Sequence, residues 1–401
     1  MDDHKNKAET GLGAAPANVQ QRVQDMNAGW RNCVSEILGM DPNTFQMAQG
    51  TLGLQTSDSS GLFRIANGVP PESAVAFFDA SSKTMRSDAY GLYLNALLAP
   101  TSSGMVQALG PMYADWVIFK KANFTKYTSL DAMFDAFAMG NLNTVQTKAG
   151  KTVIAASKNA PLAKAINNFL DPQFQTTFVD STNKQYTLPT YSGDIAAATT
   201  AINTGGSATI DFSTKTMNTK TNSTVVSGGA TGMYDIFFGG GEGSYSQYDS
   251  KAATSEFSIT GTIGSYATVP TVAAGWYNGA EVTRGYNGKN DFTIWDAQSN
   301  SGDWDNFFNT ATGTLARRVS QILLVTDVDL TVTSHATYTQ SDVTKIETEA
   351  AFGVWPFFAA EAKTSHTQTF HLNNDGSLSV KYVLPKGKIE IWGVSVQPAP
   401  K

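Results

Sequence analysis

Between Ala201 and Pro270, 33 of 70 residues are Ser, Thr or Gly, and in two stretches apolar side chains alternate with polar ones. Ala208, Ile210 and Phe212 alternate with Thr209, Asp211 and Ser213, and Phe257, Ile259 and Ile263 alternate with Ser258, Thr260 and Thr262. A period of two sends successive side chains to opposite faces of an extended chain. These segments are therefore strands with one apolar and one hydroxyl-bearing face. Charge is thin, limited to Asp211, Lys215, Lys220, Asp235, Glu242, Asp249, Lys251 and Glu256. Between the strands, Gly228-Gly229 precedes Met233, Tyr234, Ile236, Phe237 and Phe238, and Gly239-Gly240-Gly241 follows. An apolar knot is held between glycine hinges.

The chain before residue 185 has a different period. Val19, Val23, Met26, Trp30, Cys33 and Ile37 recur at steps of three and four, which makes one helical stripe. Gly39 and Pro42 supply its stop. Thr128 with Asp131 reads as a capping box before Met133, Phe134, Phe137 and Met139. Shorter helical patterns at Tyr90–Leu98, Met112–Phe119 and Leu162–Leu170 are punctuated by Pro100, Pro111 and Pro172.

The C-terminal third returns to a period of two. Ile322, Leu324, Val328, Leu330 and Val332 are expected on one strand face, opposite Asp327, Asp329, Thr331 and Thr333. Asn373-Asn374-Asp375-Gly376 is a hairpin turn between Phe370/Leu372 and the return strand Leu378, Val380, Tyr382 and Leu384. Pro385-Lys386-Gly387 turns again into Ile389 and Ile391, and Gly393 shifts the phase as a bulge. The expectation is an α+β fold. A tail at 1–17 and a mainly helical region at 18–185 precede a sandwich-like β-rich region at 186–401, which ends in an antiparallel meander.

Composition removes several function classes. Net charge is −6, and among the basic residues only Lys120-Lys121 and Arg317-Arg318 are adjacent, so phosphate-backbone binding is not expected. No apolar run approaches the ~20 residues of a membrane-spanning helix. Residues 1–17 lack the apolar core of a signal peptide, so cytoplasmic synthesis with non-classical release is the expectation. Cys33, the single cysteine, reads as a packed residue of a reducing compartment. His366 and His371 are five apart, on opposite faces of a strand. No HExxH, CxxC, EF-hand, GxSxG, Walker or dinucleotide motif occurs, and neither metal nor organic cofactor is expected.

Three functional readings remain. Strands with one apolar and one hydroxyl face, low charge and a glycine-bounded apolar tip suit a protein that passes from water into a bilayer, since charge on a lipid face costs ~2–4 kcal/mol at the midplane. Met233, Tyr234, Ile236, Phe237 and Phe238 would then meet the membrane, as in a pore-forming-like, toxin-like β protein that assembles from several copies. The alternative partner is a glycan, stacked on Trp276, Tyr286, Trp295 and Trp304 beside Asn-Gly turns. A third reading is a hydrolase using Asp327 and Asp329, which a regular strand would put on one face roughly 6–7 Å apart. The leading expectation is a non-enzymatic interaction protein with a lipid or glycan partner.

Overall fold

A computed structural model describes residues 17–54, 57–72, 78–79, 84–98, 102–180, 182–220, 247–291, 293–295, 302–349 and 366–399. Its strands are β1 (Phe45–Leu54), β2 (Gln175–Val179), β3 (Gln185–Pro189), β4 (Gly206–Ser213), β5 (Phe257–Pro270), β6 (Arg317–Ser334), β7 (Thr367–Leu372), β8 (Leu378–Leu384) and β9 (Ile389–Pro398). Helices α1 (Ala17–Ile37), α2 (Ser60–Ala66), α3 (Arg86–Ala96), α4 (Ser102–Leu109) and α5 (Tyr113–Asn123) come first. They are followed by α6 (Leu130–Asn141), α7 (Thr144–Ser157), α8 (Pro161–Leu170), α9 (Ile195–Asn203), α10 (Gln247–Thr254), α11 (Gly279–Asn287), α12 (Gly302–Phe308) and α13 (Gln340–Glu349). The fold is α+β, with helices concentrated toward the N-terminus and most sheet strands in the C-terminal half.

The helix ends follow local chemistry. Val23, Met26, Trp30 and Val34 are buried along the α1 stripe, and Gly39, at φ +63°, turns the chain out while Met40 N–H donates to Ser35 O at 2.7 Å. The cap of α6 is Ser129, not Thr128: its hydroxyl accepts from Ala132 N–H at 3.1 Å, so the expected box is displaced by one residue.

Seven strands form one antiparallel sheet in the order β1-β9-β6-β5-β4, with β8 beside β6 and β7 outside β8; β2 and β3 form a separate hairpin. The turn at Asn373–Gly376 closes β7 onto β8, with Gly376 at φ +84°. The last strand departs from the expected meander. Instead of pairing with β8, β9 pairs with β1 and with the first half of β6, while β8 pairs with the second half of β6. Eighteen residues of β6 are long enough to serve both partners along one edge, end to end.

Helices cover both faces of this sheet, and each face has its own core. One core takes Ile322, Leu324, Ile391 and Val394 from the sheet and packs them against Leu62, Tyr93 and Phe169 of the helices. The other takes Leu323, Val325, Ile259 and Trp392 and packs them under Val23, Trp30 and Val343. Both cores mix residues from before and after position 185, and the β2–β3 hairpin spans that position.

One expectation about β6 is corrected here. Ile322 and Leu324 do not share a face with Val328, Leu330 and Val332; they lie in opposite cores. The reversal occurs at Asp327, whose φ is +55°, opposite Gly264 of β5. β5 reverses at the same level: Ile259 and Ile263 face one core, and Val269 faces the other. A single left-handed residue breaks the two-residue alternation, and Gly264 gives it room, since any Cβ there would strike the Asp327 side chain. The expected bulge at Gly393 is present: the β6–β9 register shifts between Leu323 and Leu324, leaving Trp392 as the extra residue.

Candidate functional site

The reversal at Asp327 divides the sheet into two ends. Beyond it, toward Ser213, Phe257 and Ser334, only one face is buried. Ile210, Phe212, Phe257, Ile259 and Val332 pack beneath α1, α10 and α13, and the Trp30 ring meets Phe212 edge-on at 5.4 Å. The opposite face carries Thr209, Asp211, Thr260, Thr262, Asp329 and Lys381, all exposed. Charge on it is sparse: Asp329 pairs with Lys381 at 3.0 Å, both half in solvent, and Asp211 is the one charged residue of β4 and β5 together. Such an exposed pair adds little stability.

At this open end β4 is the edge strand, bonded to β5 alone. The chain leaves β4 at Ser213 and returns to β5 at Phe257 at this same end, where β6 also finishes at Ser334; the second long excursion starts there and returns to β7 at Thr367, beside Val383 and level with Asp329. Each contributes a short covering helix, α10 and α13, joined by Lys251 and Asp342 at 3.5 Å. Met233, Tyr234, Ile236, Phe237 and Phe238 lie outside the described residues. Among the described residues, no helix is long and apolar enough to cross a membrane.

The four aromatics named for glycan binding separate into two pairs. Trp276 is fully buried and donates Nε1–H to Thr190 O at 2.9 Å; Trp295 is buried and donates to Gly288 O at 2.8 Å. Both join a ring cluster around Tyr90 and Tyr93 of α3, with centroids 5.9 Å apart in each contact. They have no free face for a sugar and are corrected to core residues. Tyr286, 40% exposed, meets the half-buried Trp304 at 5.6 Å, and Lys289 Nζ lies 4.2 Å over the Trp304 ring. This pair alone remains near the surface.

The carboxylate pair loses its geometric basis. Asp327 occupies the left-handed position that interrupts the strand, so the regular spacing to Asp329 does not apply, and Asp329 is engaged with Lys381. Cys33 is unsuited to nucleophilic work: burial first, then Glu36 and Asp211, push its thiol up to about 11.

Sequence reasoning missed a buried polar cluster. The His366 Nδ1 lies 2.9 Å from Glu390 Oε1, and both side chains are about 1% exposed. Tyr382 donates its hydroxyl proton to the other Glu390 oxygen, and Gln368 Nε2 reaches His366 Nε2 at 3.1 Å. Glu390 sits between Ile389 and Ile391 in an apolar strand run, and that interruption was the available signal. Among the described residues, no His, Cys, Asp and Glu converge in a metal-binding group. No family model, curated protein or solved structure matches the chain.

Proposed function

We propose that this chain is a non-enzymatic, membrane-active protein of pore-forming-like character, in which the β4–β5 pair and the segment joining it are the element that leaves the body. The supporting observation is the edge position of a strand pair that carries a single charge. Edge strands of ordinary soluble sheets are protected by charges, prolines or covering elements. Here β4 carries only Asp211, and a long excursion ending in α10 joins it to β5. The outer face is already hydroxyl-rich, so an apolar face and a wettable face are both in place for a strand pair at a bilayer. Copies joined edge to edge through β4 would satisfy the open backbone groups, which a bilayer requires.

Dye release from phospholipid vesicles tests this reading. Thr262 of β5 faces Asp329 of β6 across the ladder. Opposed residues of antiparallel strands stand about 4.5–5.5 Å apart, within disulfide range. In a Cys33→Ser background, Thr262→Cys with Asp329→Cys should release dye when reduced and fail when oxidised. Phe237→Asp with Phe238→Asp should abolish release while the melting temperature holds. Absence of release by the unaltered chain from both zwitterionic and anionic vesicles would end the proposal. A positive glycan array in its place would turn attention to Tyr286 and Trp304.

A further inference from the structure

Where β5, β6 and β9 terminate at the other end of the sheet, a cavity of about 550 Å³ opens beside the first turn of α11. That volume lies within the range of small-molecule sites. Arg86, the first residue of α3, is buried in its wall, 3% exposed. It donates through Nη1 to Arg317 O at 2.8 Å and through Nη2 to the Tyr277 hydroxyl at 2.6 Å, and its guanidinium lies 4.7 Å over the Tyr277 ring. Arg318 of β6 shares the wall and donates to Gln397 Oε1 at 2.8 Å. Burial, followed by the charge of Arg86, pulls the Arg318 guanidinium below its ordinary value.

Two features of this wall bear on an anionic ligand. Its lining contains no carboxylate, and none of the described ion pairs includes Arg86 or Arg318. Buried arginines are ordinarily paired, because an uncompensated charge taken from water is costly. Arg86 is the buried charge; half-buried Arg318 adds a like charge on the same wall, and an anion between the two would offset both. Tyr277, which accepts from Arg86, keeps its own hydroxyl proton to donate. Polar Thr271, Thr283 and Gln397 share the lining with an apolar part formed by Val272, Ala273 and Pro398.

We infer that this cavity binds a small organic anion, whose carboxylate or phosphate group sits between Arg86 and Arg318 and whose apolar body lies against Val272, Ala273 and Pro398. Planar guanidinium forks match both oxyanions with paired hydrogen bonds. The inference does not rest on the membrane reading, since it is argued from the residues beyond the opposite end of β5.

Titration calorimetry on the full chain tests the assignment with benzoate, phenyl phosphate and inorganic phosphate as probes. At least one organic anion should bind one per chain and more tightly than inorganic phosphate. Arg318→Gln should weaken it about tenfold or more, as expected for loss of a charged hydrogen bond. Val272 is 59% exposed at the rim, so Val272→Asp should repel the anion without disturbing the fold, even if an arginine variant fails to fold. Arg86→Lys, which keeps the charge and loses the fork, should discriminate against binding as well. No binding of any probe, neither organic anion binding more tightly than inorganic phosphate, or binding indifferent to Arg318→Gln and Val272→Asp would each overturn the inference.

Discussion

The two ends of β6 belong to one strand yet live in different surroundings. From Ile322 to Val325 four apolar residues in succession are buried, because helices cover both faces of the sheet. From Val328 to Ser334 burial alternates, because only α1, α10 and α13 cover it and the other face is wet. A continuous apolar run marks a strand enclosed on both sides; alternation marks one enclosed on a single side. The difference shows which part of the molecule is committed to its core. The enclosed end holds the arginine-lined cavity. The open end has less to lose by rearranging.

Stability should differ most sharply between these ends. Leu324→Ala, in the enclosed run, is expected to cost about 2–5 kcal/mol. Thr260→Ala, on the exposed hydroxyl face, should fall within about 0.5 kcal/mol of the parent. Urea denaturation of the two variants checks this. Equal losses would mean that the second face of the open end is covered by something that its exposure conceals.

The next effect lies at the junction, where β6 passes from β9 to β8. Tyr382→Phe removes the hydroxyl that serves buried Glu390 and should cost about 1–3 kcal/mol, the usual loss when a buried acceptor goes unsatisfied. In a Glu390→Gln background the same change should cost less, because the carboxylate it serves is gone. A double-mutant cycle measures the coupling. Additive losses would show that Tyr382 and Glu390 merely pack side by side.

Legibility in the sequence followed the range of the interactions. The α1 stripe with its Gly39 stop, the alternation at Ile210 and Phe257, and the Asn373–Gly376 turn are set by neighbours a few residues apart. The structure has each of them where the residues indicate. The phase reversal was hidden because Asp327 in a left-handed conformation looks like any strand aspartate until Gly264 is seen opposite it. Glycan-binding aromatics and core aromatics have the same composition, and only tertiary burial separates Trp276 from Tyr286. The arginine cavity was illegible for a related reason: Arg86 and Arg318 are far apart in sequence, and the absence of a nearby carboxylate is a property of the fold.

The smallest expected effect concerns the cover of the open end. Asp342 accepts from Thr339 N–H at 2.9 Å at the start of α13, while its own N–H donates to the Thr339 hydroxyl and Lys251 of α10 stands 3.5 Å away. The Thr339 backbone bond is the largest of the influences that hold the Asp342 carboxyl below its ordinary value of 3.8. A carboxyl that is more acidic in the folded chain than in the unfolded one stabilises the fold above the ordinary value, and this contribution is lost as pH falls through the folded value. Asp342 is near the surface, so the contribution should be small, about 0.5 kcal/mol. It should also be local. Between pH 6 and pH 3, amide protection around Val343 and Ile346, corrected for intrinsic exchange, should fall while that of Ile322–Val325 holds. Asp342→Asn should start at the lower protection and lose less on acidification. If protection instead falls evenly along β6, the two ends unfold as one unit, and the open end holds no separate capacity to detach.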